Sequence, residues 1–188
     1  MKADPISGSA PKMGNDAMNT FKLLTGAAML TGLTMAPLAL AASDADMKGV
    51  QAAKISLAQA IQSAQKAGNG KAIYGKYDTR DGVGNYEVVV IAGGKDETLR
   101  VDPTTGEAVK AKQDDADKTD KNGVATIQAA QVTLAEAINT AEQQGGRALT
   151  AELDTKKNTT AYEIDVANGD HTDTVWVDVN SGQIVKKS

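Results

Sequence analysis

Apolar and polar residues alternate in the same order in two places along this chain. Val50-Gln-Ala-Ala-Lys-Ile-Ser-Leu-Ala-Gln-Ala-Ile61 returns as Ile127-Gln-Ala-Ala-Gln-Val-Thr-Leu-Ala-Glu-Ala-Ile138. From Leu57 onward, Leu57, Ala60, Ile61 and Ala64 recur at helical spacing, while Gln59, Gln62, Gln65 and Lys66 take the other side. Leu134, Ala137, Ile138 and Ala141 repeat the stripe, so each stretch predicts a one-faced helix. Ser56-Leu-Ala-Gln59 and Thr133-Leu-Ala-Glu136 have the spacing of capping boxes, with Ile55 and Val132 placed to staple the first turn. Gly68-Asn-Gly70 and Gly145-Gly146 supply residues that close helix C-termini in the left-handed conformation.

After each stop the period changes from helical to alternating. Tyr86-Glu-Val-Val-Val90 answers Tyr162-Glu-Ile-Asp-Val166, and in the second the apolar Tyr162, Ile164 and Val166 enclose the charged Glu163 and Asp165. Such a strand has one dry face, which the helix covers, and one wet face. Leading strands are expected near Lys71 to Asp78 and Arg147 to Asp154, and closing strands near Glu97 to Asp102 and Asp173 to Asp178. Gly93-Gly94 and Asn168-Gly169 mark tight hairpins. Asp102-Pro-Thr-Thr-Gly106 and Asp178-Val-Asn-Ser-Gly182 suit a type I turn followed by a left-handed glycine, with the aspartate oxygen bonded to backbone amides inside the turn. The strand tyrosines lie 76 residues apart (162 minus 86) and the helix leucines 77 (134 minus 57), so one residue is lost or gained near the helix stops. The pattern therefore predicts an α+β chain of two tandem repeats, each one α-helix packed on a small antiparallel sheet with a short closing strand.

The segments flanking the repeats read differently. Lys22 precedes an apolar run from Leu23 to Leu40 that exits through small residues, the pattern of a secretory signal peptide over 18–41, cleaved after Ala41 in preference to remaining as a span. Residues 1–17 are a polar extension, and Met18 is the more natural initiator. Residues 42–49 read as a mobile lead-in. Residues 49–111 and 126–188 then form the two domains, joined by a polar acidic linker over 112–125. Each domain has about 60 residues, a size at which one core barely balances chain entropy, so mutual packing of the copies is expected.

Composition narrows the chemistry. Removing residues 1–41 takes three basic residues (Lys2, Lys12, Lys22) and two acidic ones (Asp4, Asp16) from totals of 20 and 24, leaving 17 and 22, a net charge of −5. That balance disfavours nucleic acid as a partner. The chain has no cysteine, which removes disulfides and thiolate catalysis. No nucleophile motif surrounds a serine, and no cofactor is implied. His171, the single histidine, reads as a solvated loop residue matching Lys95 in the first copy. Residues 118–129 place Asp120, Asn122 and Gly123 at the third, fifth and sixth positions of a calcium loop. Lysine stands first and alanine twelfth, so no metal site is assigned. The sequence reads as that of a protein without catalytic residues.

A helix with Leu-Ala-x-Ala-Ile, a strand with Tyr-Glu-Val or Tyr-Glu-Ile, and Val-Asp-x-x-x-Gly before a last strand resemble the PepSY domain family. The residues that carry the resemblance are Tyr86-Glu87-Val88 with Val101 to Gly106, and Tyr162-Glu163-Ile164 with Val177 to Gly182; the second copy lacks the proline. The resemblance implies a module found in metallopeptidase propeptides and in secreted bacterial proteins, with a role in binding and restraining peptidases. The expected function is thus a secreted or periplasmic binding protein whose partner is a peptidase or another envelope protein. The alternative is an envelope sensor of a small ligand or cation. Alternation assigns Val89, Ile91, Arg100 and Trp176 to the sheet face turned away from the helices, and these four are the candidate binding residues. Trp176 aligns with Arg100, and both residue types are frequent carriers of binding energy.

Overall fold

The computed structural model describes residues 43–111, 121–156 and 159–187. The signal segment, the N-terminal extension and linker residues 112–120 lie outside the described residues. The described part comprises α1 (Asp44–Ala52), α2 (Leu57–Gly68), β1 (Lys71–Arg80), β2 (Val83–Ala92), β3 (Lys95–Val101) and β4 (Ala108–Lys110), then α3 (Lys121–Ala129), α4 (Leu134–Glu142), β5 (Arg147–Lys156), β6 (Thr159–Asn168), β7 (His171–Asp178) and β8 (Ile184–Lys187). It is an α+β fold of two equivalent repeats.

Both main helices start as the pattern predicts. Ser56 Oγ accepts from the Gln59 amide while Gln59 Oε1 accepts from the Ser56 amide, and Thr133 with Glu136 does the same. The stops differ between repeats: α2 is closed by Asn69, left-handed at φ 51°, rather than by a glycine, whereas α4 runs into Gly145 and Gly146. Asparagine does this because its short polar side chain tolerates the left-handed region.

All strands pair antiparallel in one eight-stranded sheet of order β4-β3-β2-β1-β5-β6-β7-β8. The two repeats meet where Tyr74, Gly75 and Lys76 of β1 pair with Glu152, Ala151 and Thr150 of β5. Helices α2 and α4 lie side by side on one face. A Cβ placed on Gly75 would lie 3.1–3.2 Å from Ile61 and Leu57, so α2 sits close to the sheet there. A single apolar cluster runs through both repeats, with Leu57, Ile61, Tyr86, Val88 and Leu99 from the first and Leu134, Ile138, Tyr162, Ile164 and Val175 from the second fully buried.

Two expectations are corrected here. Residues 44–52 are a helix rather than a lead-in, capped by Ser43 and anchored where Asp46 Oδ1 accepts from the Thr79 amide at 2.7 Å. Likewise α3 begins at Lys121, inside the stretch read as linker. Both helices are short, and each has a buried apolar anchor, Val50 at 0% and Ile127 at 3% exposure, with Met47 and Val124 partly buried against the same core.

The Asp-x-x-x-Gly motif does structural work. Asp102 Oδ1 accepts from the Thr104 and Thr105 amides at 2.8 Å, and Asp178 Oδ1 from the Asn180 and Ser181 amides at 3.1 and 2.7 Å. Gly106 and Gly182 follow in the left-handed conformation. These bonds hold both carboxyls below the usual carboxylate range. The same turns tie down the helix entries: the Pro103 carbonyl accepts from the Lys54 and Ile55 amides, and the Val179 carbonyl from Gln131 and Val132.

The two strand tyrosines complete this junction. Tyr86 Oη donates to the Ile55 carbonyl at 2.7 Å and Tyr162 Oη to the Val132 carbonyl at 2.8 Å. Ile55 O also accepts from Arg147 at 2.9 Å. Tyr162→Phe is therefore expected to cost about 1 kcal/mol and Tyr86→Phe less, since Ile55 O keeps a charged donor; urea midpoints of the two variants check the order.

Candidate interaction surface

The face opposite the helices is built by the alternate residues of each strand. Two rows cross it in register. One runs Arg100, Glu87, Lys76, Thr150, Asp165, Thr174, and the other Trp176, Glu163, Glu152, Tyr74, Val89, Thr98. Taken in that order, the two rows are equivalent position by position. No helix among the described residues covers this face.

Part of its charge is paired or hydrogen-bonded. In the first repeat Asp78 takes ion pairs from Lys76 at 3.4 Å and from Arg80, and Arg80 also reaches Glu87 at 3.4 Å. In the second, Thr174 donates to Asp165 at 2.8 Å across β6 and β7. Tyr74 stands near the centre, its phenol pushed up to about 12 first by burial and then by Glu87, Glu152 and Asp78. Burial also pushes Tyr86 to about 12, opposed by Arg147, and Tyr162 to about 12, aided by Glu136.

A raised phenol pKa favours the protonated form in the folded state. The stability from these three tyrosines is complete below the unfolded value of 10.0 and is lost as pH rises from there through about 12. Alkaline unfolding should therefore coincide with tyrosinate absorbance between those limits. Tyrosinate forming well below pH 10 in the native protein would contradict it.

The four candidate residues do not form one site. Val89 and Ile91 are 1% and 7% exposed, so neither offers surface to a partner. Alternation predicts which way a strand residue points but not what lies over it, and Val89 stands directly opposite Tyr74, a large half-buried neighbour. Arg100 is exposed on β3, and Trp176 is half-buried on β7 with the Lys186 ammonium 4.4 Å from its ring centroid. Five strand spacings separate β3 from β7, roughly 24 Å, so the structure keeps these two apart. Sequence reasoning missed the Trp176–Lys186 stack, although the closing-strand register would have placed the two opposite each other.

His171 opens β7, exposed, with Asp170 at 3.6 Å and Asp173 at 3.9 Å. A cleft of about 400 Å³ is lined by Gln65, Asn69, Lys71, Ile91, Ile127 and Gln128, among others. Its amine, Lys71 Nζ, is already bonded to the Ile127 and Gln128 carbonyls at 3.2 Å.

The family model described as peptidase propeptide and YPEB domain, PepSY, matches residues 54–112 and again 131–187. This chain belongs to the PepSY family. Each matched PepSY segment starts just before a capped helix and ends at or just past the short closing strand, so the family unit covers each repeat from its capped helix onward and leaves α1 and α3 outside. No curated protein matches the chain. Among solved structures, a candidate lipoprotein from Clostridium difficile 630 is similar at 16% identity and a TM-score of 0.40, with 72% of this chain and 93% of that chain covered. Among the described residues of this PepSY protein, no helix is long and apolar enough to cross a membrane.

Proposed function

We propose that this PepSY protein is a secreted or periplasmic binding protein, not an enzyme, that holds a peptidase or another envelope protein against the helix-free face of its sheet. The observation that carries the reading is the division of the sheet: helices cover one face, and the other presents Arg100 and Trp176 at equivalent positions in its two halves. Arginine and tryptophan supply binding energy through planar, partly apolar contacts. The printed description of the family, a peptidase propeptide, supports a peptidase as the partner class.

The test is in-cell photocrosslinking with a photoreactive residue at Trp176 and, separately, at Arg100. Capture of an envelope protein from either position is expected; crosslinks confined to the chain itself would overturn the reading. The restraint of a peptidase fails if the purified mature protein neither inhibits nor co-purifies with one. The other reading, a small-ligand or cation sensor, drew on the acidic linker and the turn aspartates; linker residues 112–120 lie outside the described residues, and Asp102 and Asp178 each engage Oδ1 with turn amides.

A further inference from the structure

The seam between the repeats has the symmetry of a two-fold dimer. Gly75 faces Ala151, 76 residues further on, which is the offset separating equivalent strand positions throughout. The flanking pairs Tyr74 with Glu152 and Lys76 with Thr150 interchange under the same offset.

The leading helices cross this seam in both directions. From α1, Gln51 Nε2 donates to the Gly169 carbonyl at 3.0 Å, and Met47 Sδ accepts from Thr172 Oγ1 at 3.8 Å, both in the β6–β7 hairpin of the second repeat. Arg147 of β5 donates to the carbonyl of Ala53, the C-cap of α1, at 3.4 Å and to Ile55 O in the α1–α2 connection at 2.9 Å. Lys71, its equivalent in the first repeat, donates to Ile127 O and Gln128 O in the last turn of α3. Each repeat thus sets a cation on the negative end of the other's first helix, where carbonyls lack helical partners.

A short helix with one buried anchor has little to hold it in place when that surface is removed. We infer that the two repeats are obligate partners: the seam and its crossed helices, rather than the covalent connection, keep them together. Neither repeat is a stable fold alone.

The test inserts a specific protease site between residues 111 and 121 of the full chain and cuts it after folding. The expected result is that both fragments co-elute at micromolar concentration, unfold in one transition, and separate only in denaturant. Fragments that part on cutting, or that unfold in two transitions, would overturn the inference. Lys71→Met with Arg147→Met should weaken re-association of the cut halves about tenfold to a hundredfold, the range for lost charge-assisted hydrogen bonds. Unchanged re-association would remove the cations from the account. The cut wild-type chain tests the seam even if that double variant fails to fold.

Discussion

Ile138→Ala should cost about 2–5 kcal/mol and move the whole unfolding transition, even though the substitution lies in the second repeat. Ile138 is 0% exposed on α4, and α4 packs beside α2, whose Ile61 is equally buried. Their side chains belong to one cluster that runs through both halves of the sheet. Removing three carbons leaves a cavity that surrounding side chains fill only in part, so the loss exceeds the transfer term alone. Domains of this class have about 5–15 kcal/mol in total, which makes one such substitution a large fraction of the stability. Ile61→Ala should give a loss of the same order. The check is a urea titration followed by both Trp176 fluorescence and far-ultraviolet circular dichroism. The two probes should shift together, and a second transition in either variant would show that the cluster does not couple the repeats.

The other large effect is expected at Gly146, which combines a φ of 88° with a backbone neighbour. A Cβ there would stand 2.4 Å from the Ala167 carbonyl oxygen and 2.8 Å from a Val166 methyl. Gly146→Ala therefore carries a left-handed penalty of about 1–2 kcal/mol and a collision that only movement of β6 could relieve. Two further variants divide these costs. Gly169→Ala meets nothing within 4 Å at a φ of 68° and should show the conformational cost alone. Gly70→Ala, whose Cβ would lie 2.4 Å from the Ile91 carbonyl oxygen without a left-handed φ, should show the collision alone. Thermal midpoints should fall most for Gly146→Ala, and a smaller loss there than at Gly169 would contradict the geometry.

Much of each repeat was legible because its signals are local. The capping boxes at Ser56 and Thr133 fix a helix start within three residues, and the Asp102 and Asp178 turns satisfy their own amides. The fusion of two sheets into one was not legible. Three backbone pairings around Gly75 and Ala151 join β1 to β5, and backbone pairing leaves no side-chain alternation to read. Helices α1 and α3 escaped for a related reason, since each is held by contacts to both repeats, which no local pattern shows. A weak signal did exist: Val50 and Ile127, their apolar anchors, open the duplicated stretch ahead of the capped helices. The candidate surface was half legible. Alternation along β3 and β7 found Arg100 and Trp176, whereas the burial of Val89 and Ile91 depends on neighbours from other strands.

The offset pairing of Gly75 with Ala151 also bears on how anything could sit on this protein. A scaffold that superposes on itself after half a turn would ordinarily accept a guest equally well in either of two poses. Here the half turn exchanges an arginine for a tryptophan and Lys76 for Glu152, so the two poses differ in energy. A guest on this face would therefore have one preferred orientation rather than two.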